Sequence, residues 1–287
     1  MTNLLKDNGK MVMLALDHGY FQGPTSGLED PKETLEKLIP FCDAVSPTKG
    51  IFLHCMPKEV NVPVILRASG GNSIVYADPL ELEREVSLRS LGNVEMNRDE
   101  IRKEIDGQIV DRELSNEGIT VSCEEAKSLG VEGVSISIYV GTRYQKESIL
   151  NLSKMSEGTR NNGLELLGIT AVGKEMKRDA RYLGLASRIA AEHGADIVKT
   201  YYCDDFQKVV NGCFVPIVIA GGKKIPEEDA LDLCYRAISD GAVGVDMGRN
   251  IFQSRFPVAM MKAVGAVVHK GVKPDVALEL FKDESSS

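Results

Sequence analysis

The sequence predicts an α/β fold, a (β/α)8 (TIM) barrel with a charged helical insertion after the third strand. Three observations predict it. Eight short apolar, β-branched runs recur along the 287 residues with helix-like stretches between most of them, the alternation that builds a parallel sheet. Several of these runs are continuously apolar rather than alternating, as strands covered on both faces are. Eight repeats suit a closed barrel better than an open sheet, and no GxGxxG follows the first run, which weakens a dinucleotide-binding sheet.

The eight runs are Met11–Leu16, Ala44–Thr48, Val62–Arg67, Val134–Val140, Leu164–Val172, Asp196–Tyr201, Val215–Ala220 and Val243–Met247. The spacing predicts helices over Pro31–Leu38, where proline favours a first turn, and over Gln145–Ser156. Asp179–His193 places Tyr182, Leu183, Leu185, Ile189 and Ala190 at helical spacing and stops at Gly194. Pro226–Asp240 opens with Pro-Glu-Glu-Asp, acidic residues where a helix N-terminus prefers them, and stops at Gly241. Phe256–His269 follows the last strand.

The spacing breaks once. From Arg67 to Val134 the gap exceeds any ordinary connection. Within it, Asp78–Arg112 has 16 charged residues in 35, with Ile101, Ile105 and Ile109 on one helical face. This segment is expected to be an inserted, largely helical excursion, a solvated lid or an oligomer contact. Removing its 35 residues from 287 leaves 252, the size of a plain barrel of about 250 residues. One domain over residues 1–287, carrying the 78–112 insertion, is therefore the expected organisation.

Composition excludes several functions. With a net charge of −8, the chain is a poor candidate for gripping nucleic acid or an anionic membrane by overall charge. No apolar run approaches the ~20 residues of a membrane helix. Met1–Lys10 lacks the apolar segment of a signal peptide, and the six cysteines form no CxxC pair. The expectation is a cytoplasmic enzyme with reduced thiols.

In a barrel of this kind the chemistry sits at the C-terminal ends of the strands. Strands seven and eight end in Gly221-Gly222 and Gly248-Arg249. Such glycines let backbone N–H groups approach an anion, and arginine offers a planar fork to phosphate. A short helix over Asn250–Ser254 would point its N-terminus the same way. On strand six, Lys199 shares an inward face with Ile197. A buried lysine among apolar groups and cations has a lowered pKa, and the free amine then attacks a carbonyl. The competing reading is a structural lysine paired with Asp17 or Asp196. Lys174 after strand five and Lys49 after strand two are accessory cations by position. Asp17 and Tyr139 are chemically suited to move protons beside an iminium, although a turn role for Asp17 and a packing role for Tyr139 fit as well. Of four histidines only His18 lies at this face, so converging metal ligands are lacking and no metal is expected. A serine nucleophile in Ser69–Ser73 has no histidine base near it in sequence.

Asp17-His18-Gly19, Tyr139, Val198-Lys199, Ala220-Gly221-Gly222 and Asp246-Met247-Gly248-Arg249-Asn250 together resemble the class I (Schiff-base) aldolase family. This is the group of archaeal-type fructose-bisphosphate aldolases, related to deoxyribose-phosphate aldolase. Within it the chain resembles in particular a subgroup that includes the thiolase acting on 3-hydroxy-5-phosphonooxypentane-2,4-dione. Met13–Glu29, Val172–Tyr202 and Val215–Ser254 carry the likeness, which covers nearly the whole chain except Asp78–Arg112. The resemblance implies a Schiff base on Lys199, with Tyr139 as proton donor or acceptor and Asp17 as a second acid–base group. It implies a substrate phosphate held by Gly221, Gly222, Gly248 and Arg249. No metal or cofactor and a ring-like homo-oligomer are implied as well. The expected reaction is aldol cleavage or formation on a phosphorylated keto substrate, fructose 1,6-bisphosphate in type. The alternative on the same residues is acyl transfer from the phosphorylated dione to coenzyme A as co-substrate. A non-catalytic phospho-sugar sensor is a further alternative.

Overall fold

The computed structural model describes residues 4–73, 114–171 and 177–285. Asp78–Arg112 and Lys174, both singled out above, lie outside the described residues. Eight parallel strands form the barrel: β1 (Met11–Ala15), β2 (Ala44–Ser46), β3 (Ile65–Arg67), β4 (Gly133–Ile138), β5 (Glu165–Thr170), β6 (Ile197–Thr200), β7 (Ile217–Ala220) and β8 (Gly244–Met247). The sheet runs in the order β2, β1, β8, β7, β6, β5, β4, β3. Bridges Val45–Val64 and Thr48–Arg67 join β2 to β3 and close the circle, with Val45 N–H donating to Pro63 O at 3.0 Å and Arg67 N–H to Pro47 O at 2.9 Å. Each strand is shorter than its apolar run because neighbouring strands in a barrel are staggered, so pairing stops before the hydrophobicity does.

Period-2 alternation sorts each strand into two faces. Met11, Met13, Ala44, Ile65, Leu167, Ile197 and Val218 point inward and pack together as one cluster, with Leu4 added from the N-terminal segment. Val12, Leu14, Val45, Leu66, Val134, Ile136, Leu166, Val198, Ile219 and Val245 point outward and pack against the helices. Continuing the inward alternation toward the C-terminal ends gives Asp17, Arg67, Ser137, Lys199 and Asp246. The lower interior is apolar and the upper interior is charged, and that gradient places the site.

The predicted helices appear at Pro31–Leu38, Gln145–Asn162, Ala180–Glu192, Glu227–Ser239 and Pro257–Lys270. Local capping explains their starts: the Asp30 side chain accepts from Lys32 N–H and Glu33 N–H, and that of Asp179 from Tyr182 N–H. The second helix extends past Ser156 to Gly163, which takes the left-handed conformation at φ 65°. Shorter helices at Lys49–Cys55, Cys123–Ser128 and Phe206–Gly212 and a C-terminal one at Pro274–Ser285 were not read from the sequence. The first two start at Thr48 and Ser122 N-caps and pack short apolar faces on the core, Ile51, Phe52 and Cys55 in one and Cys123 and Ala126 in the other.

Between β3 and β4, Ser69–Gly70 pairs antiparallel with Gly118–Ile119. This ribbon returns the chain to the barrel and sets Glu117 above the strand ends. All six cysteines are free thiols, and no described helix is long and apolar enough to cross a membrane.

One glycine is required by the closure itself. Gly244 lies directly opposite Met11 in the β1–β8 register, and a Cβ there would strike the Met11 carbonyl oxygen. Gly244→Ala is expected to lower stability by about 1–3 kcal/mol through overpacking, measured by urea unfolding. An unchanged midpoint would contradict this strand spacing.

Candidate active site

Lys199 reaches from β6 into the charged upper interior. Its Nζ lies 2.8 Å from Asp246 Oδ2 of β8, with the two side chains 11% and 0% exposed. Apart from this ion pair, neither oxygen of Asp246 has a hydrogen-bond partner among the described residues. Burial works to lower the Lys199 pKa, but Asp246 and then Asp17 outweigh it, and the amine is held above its ordinary value. This corrects the expectation of a lowered lysine: the resting group is an ammonium. The partner is also neither of those named from the sequence. Asp196 faces away from the pair and accepts from Leu166 N–H at 2.9 Å.

Two carboxylates flank the lysine electrostatically and are pushed in opposite directions. Burial raises the Asp246 carboxyl, with Lys199 only partly opposing it. Burial also works to raise Asp17, but Arg67, Lys199 and His18 together hold it below its ordinary value. The two carboxyls thus differ in direction, Asp246 raised and Asp17 lowered.

Arg67, fully buried at the end of β3, ties the rest together. Its Nη1 donates to Asp17 Oδ2 at 3.1 Å and its Nε to Ser69 O at 2.9 Å. Its Nη2 lies 2.8 Å from Glu117 Oε2, 2.6 Å from Tyr20 Oη and 2.6 Å from Ser137 Oγ. Glu117 is buried and accepts from three hydroxyls: Tyr139 at 2.6 Å and Tyr20 at 2.5 Å on Oε1, and Ser69 at 2.6 Å on Oε2. Tyr139 therefore stands just past β4 with its phenol proton directed at a carboxylate. Burial and the neighbouring Tyr20 and Glu117 raise its pKa well above the phenol range.

The loops after β7 and β8 lie side by side because Asn250 bridges them. Its Nδ2 donates to Gly221 O at 2.7 Å and its Oδ1 accepts from Ile225 N–H at 2.9 Å. Gly222 is left-handed at φ 70°, and a Cβ at Gly248 would strike the His18 ring and Ala15 O. Arg249 opens a short helix, Arg249–Phe252, one residue before the expected start. Its Nε is buried without a partner among the described residues, and burial lowers its pKa, with Arg178 adding to the effect. The Arg178 guanidinium stacks 3.9 Å over the Tyr201 ring. Two guanidiniums and two glycine-bearing loops thus gather on one side. His18 stacks edge-on against Phe252 at 5.5 Å, and burial lowers it to about 4, so it is a neutral imidazole at neutral pH.

Sequence reading brought Lys199, Asp17, Tyr139, His18, Gly221, Gly222, Gly248 and Arg249 to the same end of the barrel, and the structure places them there. Lys49 instead pairs with Glu125 at 3.1 Å and begins the Lys49–Cys55 helix. The sequence reading missed Asp246, Arg67 and Glu117 as site residues. For the first two a signal existed, since each is a charge on the inward phase of an apolar strand, which needs a partner. Glu117 carried no such signal because it lies in a loop whose destination the sequence does not reveal.

Comparison with known proteins adds three findings. The family model for DeoC/LacD family aldolases matches residues 11–254. A 3-hydroxy-5-phosphonooxypentane-2,4-dione thiolase of Photorhabdus laumondii is 46% identical over 276 residues, spanning 96% of this chain and 82% of that protein, so Asp78–Arg112 lies inside the matched span. Two solved structures of archaeal fructose-1,6-bisphosphate aldolase share 25% identity with the chain. One superposes with a TM-score of 0.75 over 93% of this chain and 97% of its own. The other, with its catalytic lysine covalently bound to a carbinolamine intermediate, gives 0.73 over 92% and 96%.

Asp246→Asn removes the anion that keeps Lys199 protonated, so burial is left to lower the lysine. The pH at which Lys199 reacts with trinitrobenzenesulfonate is expected to move down, with about 3 kcal/mol of stability lost on breaking a buried pair. An unmoved pH profile would show that Asp246 is not the controlling counter-ion.

Proposed function

Since the chain belongs to the DeoC/LacD aldolase family, we propose that it is a Schiff-base enzyme that breaks or forms a carbon–carbon bond in a phosphorylated keto substrate, with Lys199 as nucleophile. The observation that carries this reading is the buried Lys199–Asp246 pair at 2.8 Å, beside an ionised Asp17. A charged lysine inside a barrel is costly, and here the anion next to it is the one whose proton affinity is raised. Asp246 takes the ammonium proton, the amine attacks the ketone, and loss of water gives an iminium. That iminium is the electron sink, so the bond-breaking step calls for no metal. Asp17 or Tyr139 takes the hydroxyl proton as the bond breaks, and the enamine left on Lys199 is protonated and hydrolysed. The related aldolase with a carbinolamine on its lysine supports the covalent step.

The substrate phosphate goes to Arg249 and to the backbone of Gly221, Gly222 and Gly248, with Arg178 adding charge. The Arg249 Nε, buried and without a partner among the described residues, supports this placement, since a buried donor is costly without an acceptor. A small phosphorylated ketone and no nucleic acid is the partner class that fits.

Two reactions share these residues. The leading reading is aldol cleavage yielding dihydroxyacetone phosphate, as for fructose 1,6-bisphosphate. The second is acyl transfer from the phosphorylated dione to coenzyme A, favoured by the name of the 46% identical relative. Assay of the pure protein on fructose 1,6-bisphosphate and on the dione with coenzyme A decides between them.

Borohydride with dihydroxyacetone phosphate is expected to trap an adduct on Lys199, and absence of the adduct would sink the Schiff-base reading. Lys199→Ala is expected to lose roughly 10⁴-fold or more in turnover; substantial residual activity would contradict the nucleophile assignment. Arg249→Ala is expected to raise KM for phosphorylated substrates roughly 10- to 100-fold, the worth of a charge-assisted hydrogen bond. An equal loss with an unphosphorylated analogue would count against the phosphate assignment.

A further inference from the structure

Glu117 is the buried charge that the mechanism above leaves unused. It enters the barrel mouth from the ribbon after the third strand, and Tyr139, Tyr20, Ser69 and Arg67 surround its carboxylate. Arg67 also holds Asp17, so these are the charged and titratable groups facing it. We infer that Glu117 acts through Tyr139, taking the phenol proton when the phenol oxygen takes one from the substrate, and returning it when Tyr139 protonates the enamine carbon. This rests on the Schiff-base reading of Lys199.

Geometry sets the direction. Tyr139 donates its one proton to Glu117 Oε1 at 2.6 Å, so the phenol offers a lone pair, not a proton, to anything else that approaches. The phenol cannot keep a negative charge in this setting, because burial and the adjacent carboxylate oppose phenolate. A proton arriving at Tyr139 must therefore push the existing one onward, and Glu117 is the acceptor within reach.

The step balances. When an iminium on Lys199 loses a carbon-bound proton, the C–H electron pair moves into the new carbon–carbon double bond and the iminium pair settles on nitrogen. One Tyr139 O–H bond forms with the substrate proton as the old one breaks, and a Glu117 O–H bond forms. In the cleavage direction the hydroxyl proton enters through Tyr139 and is stored on Glu117. It then leaves by the same oxygen for the enamine carbon. Arg67 pairs with the carboxylate at 2.8 Å, and Ser69 and Tyr20 fix its plane. Glu117 does not touch substrate, so it is a positioning residue that also stores the proton.

Glu117→Gln separates this from a structural role, since an amide oxygen still accepts the Tyr139 hydrogen bond but cannot take its proton. The test follows exchange of the carbon-bound hydrogens of dihydroxyacetone phosphate in D2O by NMR, alongside borohydride trapping. Exchange in Glu117→Gln is expected to fall roughly 100-fold or more, the usual worth of a proton-transfer group, with trapping at Lys199 and the KM for dihydroxyacetone phosphate unchanged. Tyr139→Phe is expected to match it, and the double variant to add little. Undiminished exchange in Glu117→Gln, with Tyr139→Phe slow, would overturn the relay alone. Failure of the wild-type protein to trap at Lys199 would overturn the Schiff-base reading instead. Should Glu117→Gln not fold, a proton inventory on wild-type exchange decides. The substrate proton comes from carbon and the Tyr139 proton from solvent, so a solvent isotope effect that is linear in deuterium fraction means that the phenol proton moves as the C–H bond breaks, and the lack of any solvent isotope effect overturns the relay.

Discussion

The Arg67 guanidinium is the constraint on which the charged end of this barrel depends. It is buried at the end of β3 and contacts Asp17 on one side and Glu117 on the other. Without it two carboxylates would stand uncompensated in a dry interior, a cost of several kcal/mol each. With it, the Asp17 carboxyl is held below its ordinary pKa, and Glu117 is a fixed acceptor for Tyr139. Its fork geometry matters, since a lysine could not satisfy Asp17, Glu117, Tyr20, Ser137 and the Ser69 carbonyl from one point charge.

A second pair divides the labour. Lys199 and Asp246 are paired to each other at 2.8 Å, and the pairing holds the lysine above its ordinary pKa. The cationic side of the mouth is built differently. Arg178 adds to the lowering of the Arg249 pKa, and Asn250 holds the two glycine loops in place. Two like charges held close favour an anionic ligand, consistent with a phosphate-bearing substrate. The chain as a whole carries −8, so this positive patch is local rather than a property of the surface.

Much of this was legible beforehand. All eight strands appear where the apolar runs were read, because burial on both faces leaves a continuous hydrophobic signature. Helix ends at Gly194 and Gly241 were legible because both glycines take positive φ, at 93° and 107°, which other residues rarely adopt. The short helices at Lys49–Cys55 and Cys123–Ser128 were not, because at seven and six residues their apolar faces are too short to show a period. Lys199, Asp17 and Arg249 were legible as residues of one end of the barrel because strand ends converge there. The charge state of Lys199 was not, because it depends on Asp246, 47 positions along the chain.

Sequence alone therefore determined the architecture and part of the set of side chains that meet at the mouth, Lys199, Asp17, Tyr139 and Arg249 among them, but not Asp246, Arg67 or Glu117. Periodicity and punctuation are local properties, and barrel closure fixes which ends converge. The tertiary structure decided who is paired with whom: Lys199 with Asp246, Arg67 with Asp17 and Glu117, Tyr139 with Glu117, and Lys49 with Glu125. Those pairings set the proton affinities on which the chemistry runs. They depend on distances of a few ångströms between residues tens of positions apart, and Coulombic and hydrogen-bond energies change over that scale, where chain order carries no information.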